Sequence, residues 1–156
     1  MAHRLTSGHS ALCATPHGHN EFVTVELAPT SPARLDGTAN MVVEFASAKQ
    51  RWHEFVDHTL DHALQLSASD PLLAVADAQF PQWRLVVTPG DPTTELLGAL
   101  LASKCQSILE DEALPLRVER LLLEETPTNT VVVTGDGRDL LPVAEGWWTR
   151  PDGSAR

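Results

Sequence analysis

The sequence has few of the features that define several large classes of protein. Its 156 residues include 2 cysteines, too few for a disulfide framework. No apolar run is long enough to cross a bilayer, and no signal-peptide pattern occurs at the N-terminus. Internal repeats at a solenoid period are absent as well. These absences predict a cytoplasmic globular protein.

Positive charge is also scarce. Lysine and arginine together number 11 against 21 aspartates and glutamates, which gives a formal net charge of −10 at pH 7. A surface of this sign repels both nucleic-acid phosphates and anionic lipids. We therefore expect no nucleic-acid partner and no membrane partner, and the length fits one domain with a substantial core.

The stretch with the clearest chemistry is His17-Gly18-His19, which leads into an alternating run over residues 21–28. Side chains two apart on a strand leave the same face, so both imidazoles can converge on one point. A third imidazole from a neighbouring strand would complete a set of three neutral nitrogen ligands with a fourth position open, as in a catalytic zinc site. His3 is the candidate. The sequence thus predicts Zn²⁺ bound by His3, His17 and His19.

Other segments show strand or helix patterns. Strands are predicted over residues 21–28, 41–44, 84–88, 116–124, 130–134 and 139–143. Helical spacing predicts helices over residues 45–60 and 92–108, the second with Asp91 as N-cap. Residues 67–82, which contain Pro71 and Pro81, are predicted to form a loop. This order predicts an α+β domain in which two helices cover one face of an antiparallel four-stranded sheet.

Six short blocks occur along the chain. They are Ala-His-Arg-Leu, Cys-x-x-x-His-Gly-His-Asn, Met-Val-Val-Glu-Phe, Leu-Asp-His, Asp-Pro-Thr-Thr-Glu and Glu-Thr-Pro-Thr, at residues 2–5, 13–20, 41–45, 60–62, 91–95 and 125–128. In content and order they resemble the 6-pyruvoyltetrahydropterin synthase and 6-carboxytetrahydropterin synthase family. The resemblance spans residues 2–134 and implies one domain over residues 1–143, followed by a C-terminal tail over residues 144–156.

The same resemblance implies a fold and an assembly. In the tunnelling fold, subunits join their sheets into a barrel around a central channel. In pterin synthases two trimers stack into a hexamer whose active sites lie at subunit interfaces, so we expect a homo-oligomer, either a trimer or a hexamer. The family normally has a β-strand before its Ala-His-Arg-Leu block. We therefore expect either an altered sheet edge here or a strand upstream of Met1.

The resemblance also assigns catalytic roles. Cys13 is implied to be the proton acceptor, since a bound cation nearby favours the thiolate. Asp61 and His62 are implied to form a carboxylate–imidazole couple that relays the proton and orients the base. Glu125 is implied to bind the substrate, because one carboxylate can accept hydrogen bonds from both the exocyclic amine and the ring N–H of a pterin. Strand alternation sends the competing Glu124 to the opposite face.

The remaining candidates have structural or no predicted roles. Cys105 is predicted to be buried, His53 and His58 to be exposed on a helix, Thr93 and Glu95 to serve mainly in helix capping, and His9 has no predicted role.

For function, the resemblance implies a zinc-dependent lyase acting on a small pterin-like substrate, 7,8-dihydroneopterin triphosphate. One branch of the family forms 6-pyruvoyltetrahydropterin. The other branch, which Cys-x-x-x-His-Gly-His favours, also cleaves a carbon–carbon bond and gives 6-carboxy-5,6,7,8-tetrahydropterin and acetaldehyde on the route to queuosine.

Two alternatives remain open, the first of them because of charge. A triphosphate calls for clustered basic side chains, whereas the lysines here are only Lys49 and Lys104. One alternative is a diverged member that uses the same site for cyclisation, aldol-type cleavage or elimination on an uncharged metabolite. The other is a non-catalytic tunnelling-fold subunit that binds a ligand or a partner.

Overall fold

The computed structural model describes residues 1–7, 11–32 and 35–156. The strands are Ala2–His3 (β1), His17–Gly18 (β2), Phe22–Pro29 (β3), Leu64–Ser67 (β4), Leu85–Thr88 (β5), Leu116–Thr126 (β6) and Asn129–Thr134 (β7). The α-helices are Ala11–Ala14 (α1), Phe45–Phe55 (α2), Pro71–Gln79 (α3) and Thr94–Asp111 (α4). A π-helical turn, Val56–Leu60, extends α2, and 3-10 turns form at Arg138–Leu140 and Trp147–Thr149. None of the helices described is both long and apolar enough to cross a membrane.

Within the described residues the strands form two sheets. One is antiparallel, in the order β3-β6-β7. The other has the order β2-β1-β4-β5, in which β1 pairs antiparallel with β2 while the β1–β4 and β4–β5 pairs are parallel. The predicted α+β class is confirmed. The predicted single antiparallel sheet with two helices is corrected to two sheets and four α-helices, because strands as short as β1, β2 and β4 contain too few residues to show a period.

Two of the predicted strands, over residues 41–44 and 139–143, do not form in the structure. Residues 41–44 form an irregular connection, since Asn40 adopts a left-handed conformation with φ of 54° and Glu44 already takes the N-cap position of α2. Residues 139–143 follow a tight turn at Gly137, where a Cβ atom would lie 2.8 Å from the Ala99 carbonyl oxygen. The chain there lies against α4 and forms a 3-10 turn instead of a strand.

Residues 67–82, predicted to form a loop, contain α3. The Asp70 carboxylate caps this helix by accepting a hydrogen bond from the Leu72 N–H at 2.8 Å, and Pro71 follows in the first turn. The helix ends at Gln79, before Pro81. The two prolines therefore lie at the beginning of a helix and just beyond its end, and the predicted loop is corrected to a segment that contains a helix.

The longest helix, α4, forms the centre of the core. Every residue from 97 to 109 is buried, and the helix packs against β6 and β7 as well as α2. The predicted helix is confirmed, but its N-cap is Thr93 and not Asp91, since the Thr93 hydroxyl accepts from the Leu96 N–H. Cys105 is 3% exposed in this core, as predicted.

The C-terminal residues 144–156 pack against α4 and β5. Trp147 and Trp148 are 2% and 4% exposed. The Trp147 indole N–H donates to the Val87 carbonyl oxygen at 2.8 Å, and the Val87 N–H donates to the Ala155 carbonyl oxygen at 2.9 Å. The tail thus covers the edge of β5, which is the outer strand of its sheet.

A single lysine links the tail to α4. The Lys104 side chain is fully buried, and its ammonium lies 4.8 Å from the centre of the Phe55 ring. The three N–H groups of the ammonium are shared among four backbone carbonyl oxygens of the tail that lie within hydrogen-bond distance, those of Trp147, Arg150, Asp152 and Ser154. Burial lowers the pKa of Lys104 to about 8. The nearby Asp152 carboxylate acts in the opposite direction and raises this pKa by a smaller amount.

Candidate metal centre and active site

The three histidines predicted to bind zinc lie together. His3 on β1 and His17 on β2 are direct cross-strand partners, and His19 lies two residues further on. Their ligand atoms all lie within 4.8 Å of one another. Among the residues that the structure describes, no other group of three or more histidine, cysteine or carboxylate side chains has this arrangement. The pairing of two very short strands therefore brings the ligands together.

Backbone carbonyl groups set the orientation of two of these rings. The His3 Nδ1 atom lies 3.0 Å from the Pro92 carbonyl oxygen, and the His17 Nδ1 atom lies 2.8 Å from the Thr15 carbonyl oxygen. A carbonyl oxygen can only accept, so each Nδ1 carries the proton and each Nε2 keeps a free lone pair. The two Nε2 atoms face each other at 3.2 Å.

The protonation state of His3 agrees with a ligand role. Burial is the main cause that lowers its pKa, and the neighbouring His17 lowers it further, while Glu125 acts in the opposite direction. A lowered pKa favours the neutral imidazole, which is the form that binds metal ions.

The histidine cluster opens into a cleft of about 650 Å³. Cys13, Glu125, the N-cap residue Thr93 and the first residue of α4, Thr94, line the same cleft. Thr126 and residues 128–131, at the end of β6 and the beginning of β7, also line it. The structure thus brings five of the seven predicted site residues to one cleft: His3, Cys13, His17, His19 and Glu125.

Glu125 is oriented by a β-bulge and by a threonine. The register of β6 against β7 shifts between Glu124 and Thr126, and such a bulge redirects the side chain of the extra residue. The Thr94 hydroxyl donates to Glu125 Oε1 at 2.7 Å, and the same oxygen lies 4.0 Å from His3 Nε2. Glu124 does not line the cleft.

Cys13 lies on the four-residue helix α1 and is half-buried. The Cys13 carbonyl oxygen accepts from the Leu5 N–H at 2.8 Å, which links α1 to the segment that follows His3. The thiol therefore belongs to the same wall as the histidines, although its helix is too short to be recognised from periodicity.

Asp61 and His62 are the two predicted site residues that do not line this cleft. They form a couple in which His62 Nδ1 lies 2.8 Å from Asp61 Oδ2, with side chains 88% exposed for His62 and 62% exposed for Asp61. His62 has a φ of 61°, a left-handed conformation that is uncommon for histidine. The couple lines a separate cavity of about 300 Å³ near Ala2 and Asn20.

Of the other candidates, His53 and His58 are exposed on α2 and its π-helical extension, as predicted. Thr93 caps α4, also as predicted. His9 lies outside the described residues. The sequence analysis missed Thr94, since its hydrogen bond to a residue 31 positions away leaves no local signal.

Comparisons with known proteins agree on one family. The sequence model of the family described as 6-pyruvoyl tetrahydropterin synthase matches residues 1–136. No curated protein sequence matches the chain.

Several solved structures resemble this one. An uncharacterized protein from Wolinella succinogenes has a TM-score of 0.67 at 22% identity, over 85% of this chain and 91% of that chain. The 6-pyruvoyltetrahydropterin synthase of Plasmodium vivax has a TM-score of 0.59 at 19% identity, over 85% of this chain and 87% of that chain. The enzyme of that name from Caenorhabditis elegans has a TM-score of 0.54 at 24% identity, over 86% and 87%. At these identities the likeness concerns the fold.

Proposed function

The chain belongs to the 6-pyruvoyl tetrahydropterin synthase family, and on that premise we propose that it is a zinc-dependent lyase acting on 7,8-dihydroneopterin triphosphate. The proposed product is 6-carboxy-5,6,7,8-tetrahydropterin, with the 6-pyruvoyl compound as the other possible product of the same site. The observation that carries the proposal is the meeting of the three histidines with Cys13 and Glu125 in one cleft.

A zinc ion fits the histidine cluster. Three neutral imidazoles with an open fourth position are the donor set of a catalytic zinc. The lone pairs of His3 Nε2 and His17 Nε2 face each other at 3.2 Å, an arrangement that is repulsive unless a cation lies close to both atoms. When bound, zinc would supply Lewis acidity to an oxygen of the substrate's side chain.

Glu125 is proposed to hold the pterin ring. A carboxylate has lone pairs for several hydrogen bonds, so the bond that Oε1 accepts from the Thr94 hydroxyl leaves room for the exocyclic amine and the ring N–H of a pterin. By holding Oε1, Thr94 fixes the plane of the carboxylate before the substrate arrives. The ring would then lie across the cleft with its side chain directed towards the histidines.

Cys13 is proposed to move the protons. As a thiolate it would take a proton from the substrate's side chain and return one to the ring. The Asp61–His62 couple would assist from a neighbouring subunit. Its exposure and its left-handed backbone at His62 fit a pair that becomes buried only when subunits associate.

A second candidate function is a related reaction on an uncharged metabolite. Within the described part of the chain, no lysine or arginine lines the cleft. A triphosphate would therefore need basic side chains from a neighbouring subunit, whereas an unphosphorylated pterin or a similar ring would not.

The test is incubation of the zinc-loaded protein with 7,8-dihydroneopterin triphosphate, and in parallel with 7,8-dihydroneopterin, with products followed by mass spectrometry. We expect acetaldehyde and 6-carboxytetrahydropterin from the triphosphate, abolished by Cys13→Ala and retained in Cys105→Ala, which removes the buried thiol. A pyruvoyl product would assign the chain to the other branch. Turnover of the unphosphorylated compound alone would favour the second candidate, and turnover of neither by a zinc-loaded protein would overturn the proposed substrate class.

A further inference from the structure

Thr6 and Ser7, which follow the first proposed metal ligand, both contact the carboxylate of Asp91. Asp91 lies in the turn between β5 and α4. Its Oδ2 atom accepts from the backbone N–H groups of Thr6 at 2.8 Å and Ser7 at 2.6 Å, and its Oδ1 atom accepts from the Thr6 hydroxyl at 2.8 Å. Three donor groups, which belong to Thr6 and Ser7, therefore converge on one side chain.

The next residue of the same turn holds the metal ligand itself. The carbonyl oxygen of Pro92 lies 3.0 Å from His3 Nδ1. The adjacent residues Asp91 and Pro92 thus both contact the first segment of the chain. Pro92 contacts the imidazole ring of His3, and Asp91 contacts the residues just beyond it. Since β1 has only two residues, Ala2–His3, its own ladder gives the ring little further support.

The turn that makes these contacts is well fixed. The Thr93 N–H donates to the Asp91 carbonyl oxygen at 2.8 Å, and Thr93 caps α4. Because α4 is the central helix of the core, the turn provides a rigid reference for both contacts. A further side-chain link on this segment, the pair of 2.7 Å bonds from Arg4 to Asp70, leads to α3.

We infer that Asp91 is a positioning residue of the metal site. By holding Thr6 and Ser7 against the turn, its carboxylate keeps the His3 ring on the Pro92 carbonyl group and thereby keeps Nε2 directed at His17. A group that hydrogen-bonds a ligating histidine directly, as the Pro92 carbonyl does here, typically contributes about 10- to 100-fold to metal affinity. Asp91 acts one contact further from the ring, so its contribution is expected at the lower end of that range. The inference rests on the proposed zinc site and adds to it a residue that touches neither metal nor substrate.

Zinc affinity, measured by competition with a chromogenic chelator, tests this role. Asp91→Ala removes the acceptor for the three donor groups of Thr6 and Ser7, and we expect zinc to bind about 10-fold more weakly, the lower end of that range. Asp91→Asn should restore affinity close to that of the unsubstituted protein, because the amide oxygen can replace the oxygen that accepts both backbone N–H groups. Asp36→Ala is a matched control, since Asp36 also accepts from two backbone N–H groups, of Thr38 and Asn40, in an exposed turn that does not line the cleft.

A second readout separates positioning from general destabilisation. The visible absorption of the Co²⁺-loaded protein reports ligand geometry, and we expect weaker or shifted bands in Asp91→Ala and unchanged bands in Asp36→Ala. Both variants are compared at a temperature below the onset of their thermal unfolding. If Asp91→Ala does not fold, Thr6→Val decides, because it removes one donor of the same set and should lower zinc affinity by a smaller factor.

The outcomes distinguish this inference from the proposed function. If the unsubstituted protein binds no zinc, the proposed function fails and the inference fails with it. If it binds zinc but Asp91→Ala, or Thr6→Val in its place, has the same affinity and cobalt spectrum as the Asp36→Ala control, only the positioning role is overturned.

Discussion

At the scale of single residues, the two cysteines differ sharply in environment. Cys105 is 3% exposed within α4, and burial raises the pKa of its thiol to about 12. Cys13 is half-buried and lines the cleft. The thiolate is the reactive form, so these surroundings make Cys105 inert in the folded protein and leave Cys13 accessible.

We therefore expect iodoacetamide to modify one thiol per chain in the native protein, at Cys13, and the second only after unfolding in denaturant. Peptide mass spectrometry identifies the modified residue, and Cys13→Ala should abolish native labelling. Modification of Cys105 at a similar rate without denaturant would contradict the burial described here.

The candidate site residues that could be predicted from sequence are those in short motifs with a characteristic spacing. His17 and His19 follow from period-two alternation, and His3, Cys13 and Glu125 from short blocks whose order matches the family. Thr94 and Asp91 could not be predicted as positioning groups, because their partners lie 31 to 85 positions away along the chain. Hydrogen bonds of this kind exist only once the fold has formed.

At the scale of elements, length decided what could be predicted. The long elements β3, β6, α2 and α4 have clear hydrophobic periods and were predicted at nearly their true positions. The very short strands β1 and β2 have none, although they carry His3 and His17, two of the proposed metal ligands. The four-residue strand β4 was not predicted either. The tail was not assigned to any element by sequence, because the contact of Lys104 with its carbonyl groups joins segments more than 40 positions apart.

The link between α4 and the tail should be visible in the pH dependence of stability. The pKa of Lys104 falls from 10.5 to about 8 on folding. Between those values the unfolded chain binds more protons than the folded chain, so the free energy of unfolding contributed by this group rises with pH. No tyrosine ionises in this pH range, since the sequence contains no tyrosine. We expect the unsubstituted protein to gain stability relative to Lys104→Met as the pH rises from 8 towards 10.

Chemical denaturation followed by the fluorescence of the buried Trp147 and Trp148 measures this difference at each pH. Lys49→Met is the matched control, because Lys49 is exposed on α2 and should track the unsubstituted protein throughout. A difference between Lys104→Met and the unsubstituted protein that stays constant across this window would show that the Lys104 ammonium is not perturbed by burial.

At the scale of the whole molecule, the chain has surfaces that favour association. The outer strands β3 and β7 of the antiparallel sheet have unpaired edges within the described residues. They also carry exposed apolar side chains, Phe22 at 66% and Val132 at 51% exposure. Exposed edges of this kind pair readily with another chain. We expect them to join subunits in the ring that the family resemblance implies.

An assembly of this kind would place the predicted catalytic residues, which a single chain divides between two cavities, in one site. If the Asp61–His62 couple of one subunit completes the cleft of its neighbour, a working site needs Cys13 from one chain and His62 from another. Homo-oligomers of Cys13→Ala and of His62→Ala should then both be inactive, while mixed oligomers of the two variants regain activity. Random mixing in equal amounts restores about a quarter of the sites in a closed ring. Native mass spectrometry establishes that mixed oligomers have formed, and mixed oligomers without any activity would mean that each site is built from a single chain.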